Sequence, residues 1–414
     1  MYIFVLVVGA GFVDLALTGR DRAQQTLYRI VFAVVWFLFV IRYYYGGDIY
    51  TYVPIYEHLH PWQWYLRHPD HYEYEHGYIL FCAILKGLGL SYYWMTAIVT
   101  TFYFAVIALL FRRIKRHKTI ALTILVMLDY NLIFAAHRQC LSVSFFLLMV
   151  LLMDKRKYVW ALLCAWLTVE MHKSGIFIVS LAWLFFLVHH HKLERWFFIG
   201  ILVLLFLMLV LPVSTISSAI ISSLPLPESF VLSLNLHLAL GRQFQAAWLL
   251  YAAAVVFMEY YLQNRNDIGR GTEAAVIMGL LLTALFYHYF YLLWRIRSFF
   301  LPVLIMYLFR VVQDAEDAEP LRENAMTIVK NLSLMLVLCF FAYRAVFFEI
   351  GTHKFRANLH SPGGKNIYTP CTVFDLRHHS RTYLRQERLK IAECYWFYDF
   401  IPEKDQFQIK KPAH

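Results

Sequence analysis

From 92 to 111 the chain runs without one charged side chain, and at 112 it turns abruptly basic: Arg112-Arg113-Ile114-Lys115-Arg116-His117-Lys118. This alternation of long apolar stretches with short charged ends recurs along the sequence and constrains the fold more than any other feature. A helix needs ~20 apolar residues to cross the hydrocarbon core of a bilayer. Open sheet edges are excluded there, because each unpaired backbone group is costly in lipid. With 60% of 414 residues hydrophobic and only 16% charged, the chain carries more apolar surface than a soluble core can enclose. The expected fold is all-α, a polytopic membrane helical bundle.

Window hydropathy predicts about twelve transmembrane helices, near 2–18, 27–44, 92–111, 119–136, 140–153, 158–170, 174–189, 196–212, 245–263, 273–293, 298–313 and 327–348. The spans at 140–153 and 158–170 are short, and either extend into their flanks or are broken helices lining a cavity. The glycine-containing stretch 77–90 is apolar but too short to cross, and reads as re-entrant or interfacial. The first segment lacks a basic leader and contains Asp14, so it reads as a retained helix and not a removed signal peptide. Two domains are expected: a transmembrane domain over 1–349, and a polar tail over 350–414 with an amphipathic helix near 378–398 suited to a membrane surface.

Basic residues mark one set of span ends: 18–25, 112–118, 154–157, 189–195 and 263–271, with a mixed-sign stretch at 313–324. By the positive-inside rule these are cytoplasmic. The net charge of +11 therefore answers largely to topology and anionic headgroups. No basic stretch interleaved with aromatics points to nucleic acid. Alternation puts 42–76, 137–139, 171–173, 213–244 and 294–297 outside, provided 77–90 does not cross.

The outside connections carry the unusual polar groups. Arg42 precedes a run of tyrosines and the turn Gly46-Gly47-Asp48; two glycines permit a tight turn that presents the aspartate. The aromatics of 43–78 suit either an interfacial belt or a platform for sugar rings. Glu75 lies in Tyr74-Glu75-His76-Gly77-Tyr78. Asp48 and Glu75 are candidate bases, given hydrogen-bond reach of a substrate hydroxyl. Arg138 and Gln139 join two apolar spans. An arginine there either snorkels or holds an anionic partner that offsets its cost in the membrane. His172-Lys173-Ser174 follows Glu170; His172 is a donor or base titrating near neutrality, and Ser174 can cap the next helix. Arg295 and Arg297 flank Ile296, and Arg242 closes the long loop 213–244. Several arginines on one face suit phosphate or pyrophosphate, which guanidinium binds bidentately.

No metal or cofactor is expected. His189-His190-His191 has no matching set of ligands beside it, and no C-x-x-C occurs. Cys82, Cys140, Cys164 and Cys339 lie in apolar stretches, whereas Cys371 and Cys394 lie in the tail and pair only in an oxidising compartment. The sequence has neither a Walker lysine loop nor a dinucleotide fingerprint, so a nucleotide-sugar donor is not indicated.

Taken in order, Arg42…Gly47-Asp48…Tyr52, Glu75-x-Gly77-Tyr78, Arg138-Gln139, His172-Lys173-Ser174 and Arg295-Ile296-Arg297-Ser298-Phe299-Phe300 resemble the EpsG family of exopolysaccharide proteins, which is similar to the Wzy-type polymerases. The match covers roughly 28–313, with Asn366-Ile367-Tyr368-Thr369-Pro370 as a loose closing segment. The resemblance implies a GT-C-like membrane glycosyltransferase in the bacterial cytoplasmic membrane, working on its outer face. It implies polyprenyl-pyrophosphate-linked oligosaccharide as donor and acceptor, membrane lipid as environment, and flippase and chain-length regulator proteins as partners. On this reading Asp48 is the first choice of base, with Glu75 and His172 behind it. Arg138, Arg295, Arg297, Arg42 and Arg242 hold the pyrophosphate, with Gln139, Lys173 and Ser174 as further substrate ligands. Three other classes compete: addition of one sugar from a polyprenyl phosphate, flipping or transport of the lipid-linked glycan, and O-acyl transfer through His172.

Overall fold

The computed structural model of the protein describes residues 2–43, 49–60, 62–68, 74–134, 136–188, 269–285, 290–318, 331–340 and 371–372. Several expectations fall outside these residues: the spans 196–212 and 245–263, the Gly46-Gly47-Asp48 turn, His189-His190-His191, Arg242, Cys394 and the tail helix near 378–398. Among the described residues the regular structure is helical, apart from a two-residue antiparallel pairing of Arg42–Tyr43 with Cys371–Thr372. The chain divides into two units: 1–144 with 170–173 and 308–414, and 145–169 with 174–307.

In the first unit, α1 (Tyr2–Ala16) packs on α2 (Asp21–Val40) and α7 (Lys118–Phe134), and α2 also packs on α6 (Tyr92–Phe111). Helix α2 shows why. Gln24, Tyr28, Val31, Val35 and Phe39 recur at helical spacing and are buried, forming one stripe toward the neighbouring helices. Asp21 in the first turn suits the positive end of the helix dipole. Its other face, with Ile30, Val34 and Phe37, is exposed yet apolar. Lipid accepts such a face and water does not. Phe39 packs between Phe104 and Phe134, at ring separations of 5.7 and 4.4 Å.

Helices Asp21–Val40, Tyr92–Phe111 and His137–Asp154 are long and apolar enough to cross a membrane. Helix α6 runs from 92 to 111, where the basic run begins. Helix α5 (His76–Gly87) has 12 residues, about 18 Å at 1.5 Å per residue, which is short of a ~30 Å hydrocarbon core.

The basic turn after α6 does more than mark topology. His117 is buried with φ +56°, a left-handed conformation that non-glycine residues rarely adopt. Its Nδ1 lies 3.0 Å from Asp14 Oδ2 and 3.1 Å from Gln24 Nε2, while Gln24 Nε2 donates to the Asp14 carbonyl at 2.9 Å. Gln313 clamps the same turn, accepting from the Lys115 amide at 2.8 Å and donating to the Arg116 carbonyl at 2.7 Å.

In the second unit, α10 (Gly175–Val188) packs on α11 (Arg270–Leu285). Helix α8 (His137–Asp154) ends on Asp154, whose carboxylate serves the first turn of α11. Oδ1 accepts the Thr272 amide at 2.9 Å and Oδ2 accepts the Thr272 hydroxyl at 2.5 Å. Helix starts leave amide donors unpaired, so this remote cap positions α11. Removing it in Asp154→Ala is expected to cost about 1 kcal/mol. Asp154→Asn, which still accepts an amide, is expected to cost less, as read from thermal unfolding in detergent.

The helix ends differ from expectation in several places, three of which bear on the polar motifs. The stretch 43–78, read as loop, contains α3 (Ile49–His58) and the short α4 (Trp62–Tyr65). Helix α8 starts at His137, so Arg138 and Gln139 occupy its first turn and not a connection. Arg295 and Arg297 also lie in a helix, α12 (Phe290–Ala318), which runs on through the stretch expected to be a loop from 313. On a helix, residues two apart do not face each other. Arg295 and Arg297 therefore do not form the side-by-side pair that a connecting loop would permit.

Candidate functional site around Arg138

Within the first unit, three motifs far apart in sequence meet: 74–78 at the start of α5, 137–139 at the start of α8, and 170–173 at the end of α9 (Tyr158–Met171). Arg138 is the centre. Its Nη1 donates to Glu75 Oε2 at 2.5 Å, and its Nε donates to the Tyr52 hydroxyl at 3.0 Å. The guanidinium lies over the Tyr74 ring at 4.4 Å, with Tyr52 at 5.5 Å and Tyr78 at 6.0 Å. Aromatic faces attract a cation, more strongly where water is excluded. The Arg138 side chain keeps 18% of its exposure against 8% for Glu75, so the arginine is the more exposed member of the pair.

Glu75 is held at both oxygens. While Oε2 takes Arg138, Oε1 accepts the Lys173 amide at 2.9 Å. Burial pushes its carboxyl up; Arg138, the Lys173 amide and nearby His172 pull it down further, and the net position is below the ordinary glutamate range. A carboxylate so placed stays ionised and makes a weak proton acceptor. With the folded value depressed, its stabilising contribution is complete above the unfolded value and is lost as pH falls through the folded one. The melting temperatures of wild type and Glu75→Gln should therefore differ by a constant amount from neutrality down to the ordinary glutamate range. The gap should close only below it. Closure at higher pH would show that the ion pair is not what Glu75 contributes.

Neighbouring groups complete the cluster. Buried His137 lies with its Nδ1 3.3 Å from the Tyr92 hydroxyl, and its ring faces Tyr52 edge-on at 6.2 Å. His76 Nδ1 is 2.8 Å from the Tyr65 hydroxyl. Gln139 and His172 are buried, and Lys173 is exposed. Glu170 Oε2 accepts the Gly77 amide at 3.2 Å.

Of the residues singled out by sequence, Glu75, Arg138, Gln139, His172 and Lys173 share this unit, with Arg138, Glu75 and the 172–173 segment brought into contact. Arg42 contributes the β pairing with Thr372. Ser174, directly before α10, and Arg295 and Arg297 belong to the second unit. Asp48 and Arg242 lie outside the described residues. The tyrosines around Arg138 were legible only as an interfacial belt or a platform for sugar rings, not as partners of Arg138. The available signal was Tyr74 and Tyr78 bracketing Glu75 within one short motif. Among the described residues no three His, Cys, Asp or Glu side chains are grouped to hold a metal.

The sequence matches the family model described as EpsG family over residues 25–355. No curated protein and no solved structure matches the chain.

Proposed function

This chain belongs to the EpsG family, a family of Wzy-like polysaccharide polymerases, and from that premise we propose that it joins polyprenyl-pyrophosphate-linked oligosaccharide repeat units into a surface polysaccharide at the outer face of the bacterial cytoplasmic membrane. The apolar helices and the family make it a membrane protein with a polysaccharide polymerase-like function. In this proposal the bundle is GT-C-like with about twelve crossings, and the site opens to the outer face.

The observation that carries it is Arg138: a guanidinium fixed on one side by Glu75 and Tyr52, backed by tyrosine rings, and partly open. In the proposed step the glycan on polyprenyl pyrophosphate donates. The acceptor hydroxyl oxygen of the incoming lipid-linked unit bonds to the anomeric carbon. The bond from that carbon to the pyrophosphate oxygen breaks, and polyprenyl pyrophosphate leaves with the electron pair. Arg138 stabilises the charge that develops on it. The acceptor proton passes to a base, for which Asp48 and His172 are the candidates. Glu75, occupied at both oxygens, is assigned to holding Arg138. Gln139 and Lys173 are proposed to contact the substrate. Ser174, Arg295, Arg297, Arg42 and Arg242 are proposed ligands to be judged one variant at a time.

The test is purified full-length protein in nanodiscs with a lipid-linked repeat unit, resolved on a gel. A ladder is expected. One larger product of a single size would mean one-sugar transfer, and glycan moved across the bilayer without extension would mean a transporter. Asp48→Asn and His172→Gln are each to be assayed; the base is the one whose loss removes the ladder while melting stays at the wild-type temperature.

A further inference from the structure

The segments 75–77 and 170–173 hold each other by an exchange of carboxylates and amides. Glu75 Oε1 accepts the Lys173 amide at 2.9 Å, and Glu170 Oε2 accepts the Gly77 amide at 3.2 Å. Each glutamate thus pairs with a backbone N–H on the segment that bears the other. The Glu170 carboxylate meets the first turn of α5, where unpaired amides and the helix dipole favour an anion. Close approach is built in. A Cβ at Gly77 would lie 2.6 Å from the Glu170 Cβ and 3.0 Å from the Glu170 carbonyl oxygen. The nearest of these atoms belongs to any non-glycine residue at 170, so position 77 needs glycine whichever side chain stands opposite.

We infer that Glu170 is a positioning residue for the proposed glycosyl transfer: its bond to Gly77 fixes the start of α5, so that Glu75 holds Arg138 in the orientation that receives pyrophosphate. The inference rests on the polymerase reading for its activity arm. Glu170 touches no reacting atom. It acts through Glu75, one residue outside α5, and Glu75 acts through Arg138. Displacing a charged donor by about 1 Å can cost on the order of a hundredfold in rate, so a bond two steps from the chemistry is felt there.

The experiment is a double-mutant cycle on full-length protein in nanodiscs. It reads kcat and KM for the lipid-linked unit, binding of unglycosylated polyprenyl pyrophosphate, and melting temperature. Glu170→Ala should lower kcat/KM on the order of tenfold and weaken polyprenyl pyrophosphate binding. Glu170→Gln, which keeps an oxygen for the Gly77 amide, should recover most of both. In an Arg138→Lys background, where the fork to Glu75 and Tyr52 is gone, Glu170→Ala should change neither by more than about twofold. Equal losses in both backgrounds, or no loss from Glu170→Ala, overturn the inference. If wild type gives no ladder, the polymerase reading fails separately, and the clasp is judged on melting. Non-additive shifts for Glu75→Gln and Glu170→Ala sustain it; additive shifts overturn it.

Discussion

Arg138→Ala is expected to remove the polymer ladder. A preorganised donor to charge developing in a transition state is worth roughly a hundred- to a thousandfold in rate, enough to take a processive product below detection on a gel. The same substitution strips Glu75, 8% exposed, of the partner that offsets its burial. Breaking a buried ion pair from one side costs about 3 kcal/mol or more, so lost activity alone does not separate chemistry from folding. Arg138→Ala combined with Glu75→Gln does. Without the buried charge the double variant should melt several degrees above the single one while still making no ladder. Polymer of normal length from either variant would remove Arg138 from the mechanism.

The second large effect lies in the turn before α7, among residues that are not in the Arg138 cluster. Asp14→Ala should destabilise the protein by about 3 kcal/mol. Asp14 and His117 are 1% and 2% exposed and lie 3.0 Å apart. Removing the carboxylate leaves the imidazole buried and without that partner. It also frees a turn whose His117 backbone is held at φ +56°. The loss should appear as a lower melting temperature in detergent and as faster proteolysis between 112 and 118. Asp14→Leu with His117→Leu, which removes both polar groups together, should recover part of the stability. An unchanged melting temperature for Asp14→Ala would show that Gln24 and Gln313 hold the turn without the carboxylate.

Much of the helical framework was readable from hydropathy, because apolar length and charged ends are local properties. The span 92–111 coincides with α6, and 158–170 lies within one residue of α9. The short span at 140–153 extends three residues toward its start. Local pattern failed where apolar and polar residues mix. Aromatic-rich Ile49–His58 and Trp62–Tyr65 fold as two short helices that no hydropathy window selects. The basic residues Arg295 and Arg297 interrupt the apolar run and so mimic a loop, yet the backbone continues as helix.

The chemistry of the site divides the same way. Glu75, Arg138, His172 and Lys173 stand out in sequence because a charged group beside an apolar span is costly and needs a reason. Which of them meet is not written there, since the Glu75–Arg138 contact spans 63 residues and the Glu75–Lys173 contact 98. Sequence offered Glu75 as a base because a carboxylate is a proton acceptor by residue type. Tertiary structure gave it two donors, Arg138 and the Lys173 amide, which favour its ionised form and suit it to holding a guanidinium. By itself the sequence determined an all-α membrane chain and its EpsG family, since apolar length and ordered short motifs are properties of the linear chain. Only the tertiary structure decided that Tyr52, Tyr74 and Tyr78 surround Arg138 and that Glu170 reaches Gly77. Those are contacts between segments distant in sequence, and they depend on the fold of the first unit, which brings Tyr52, 74–78, 137–139 and 170–173 to one place.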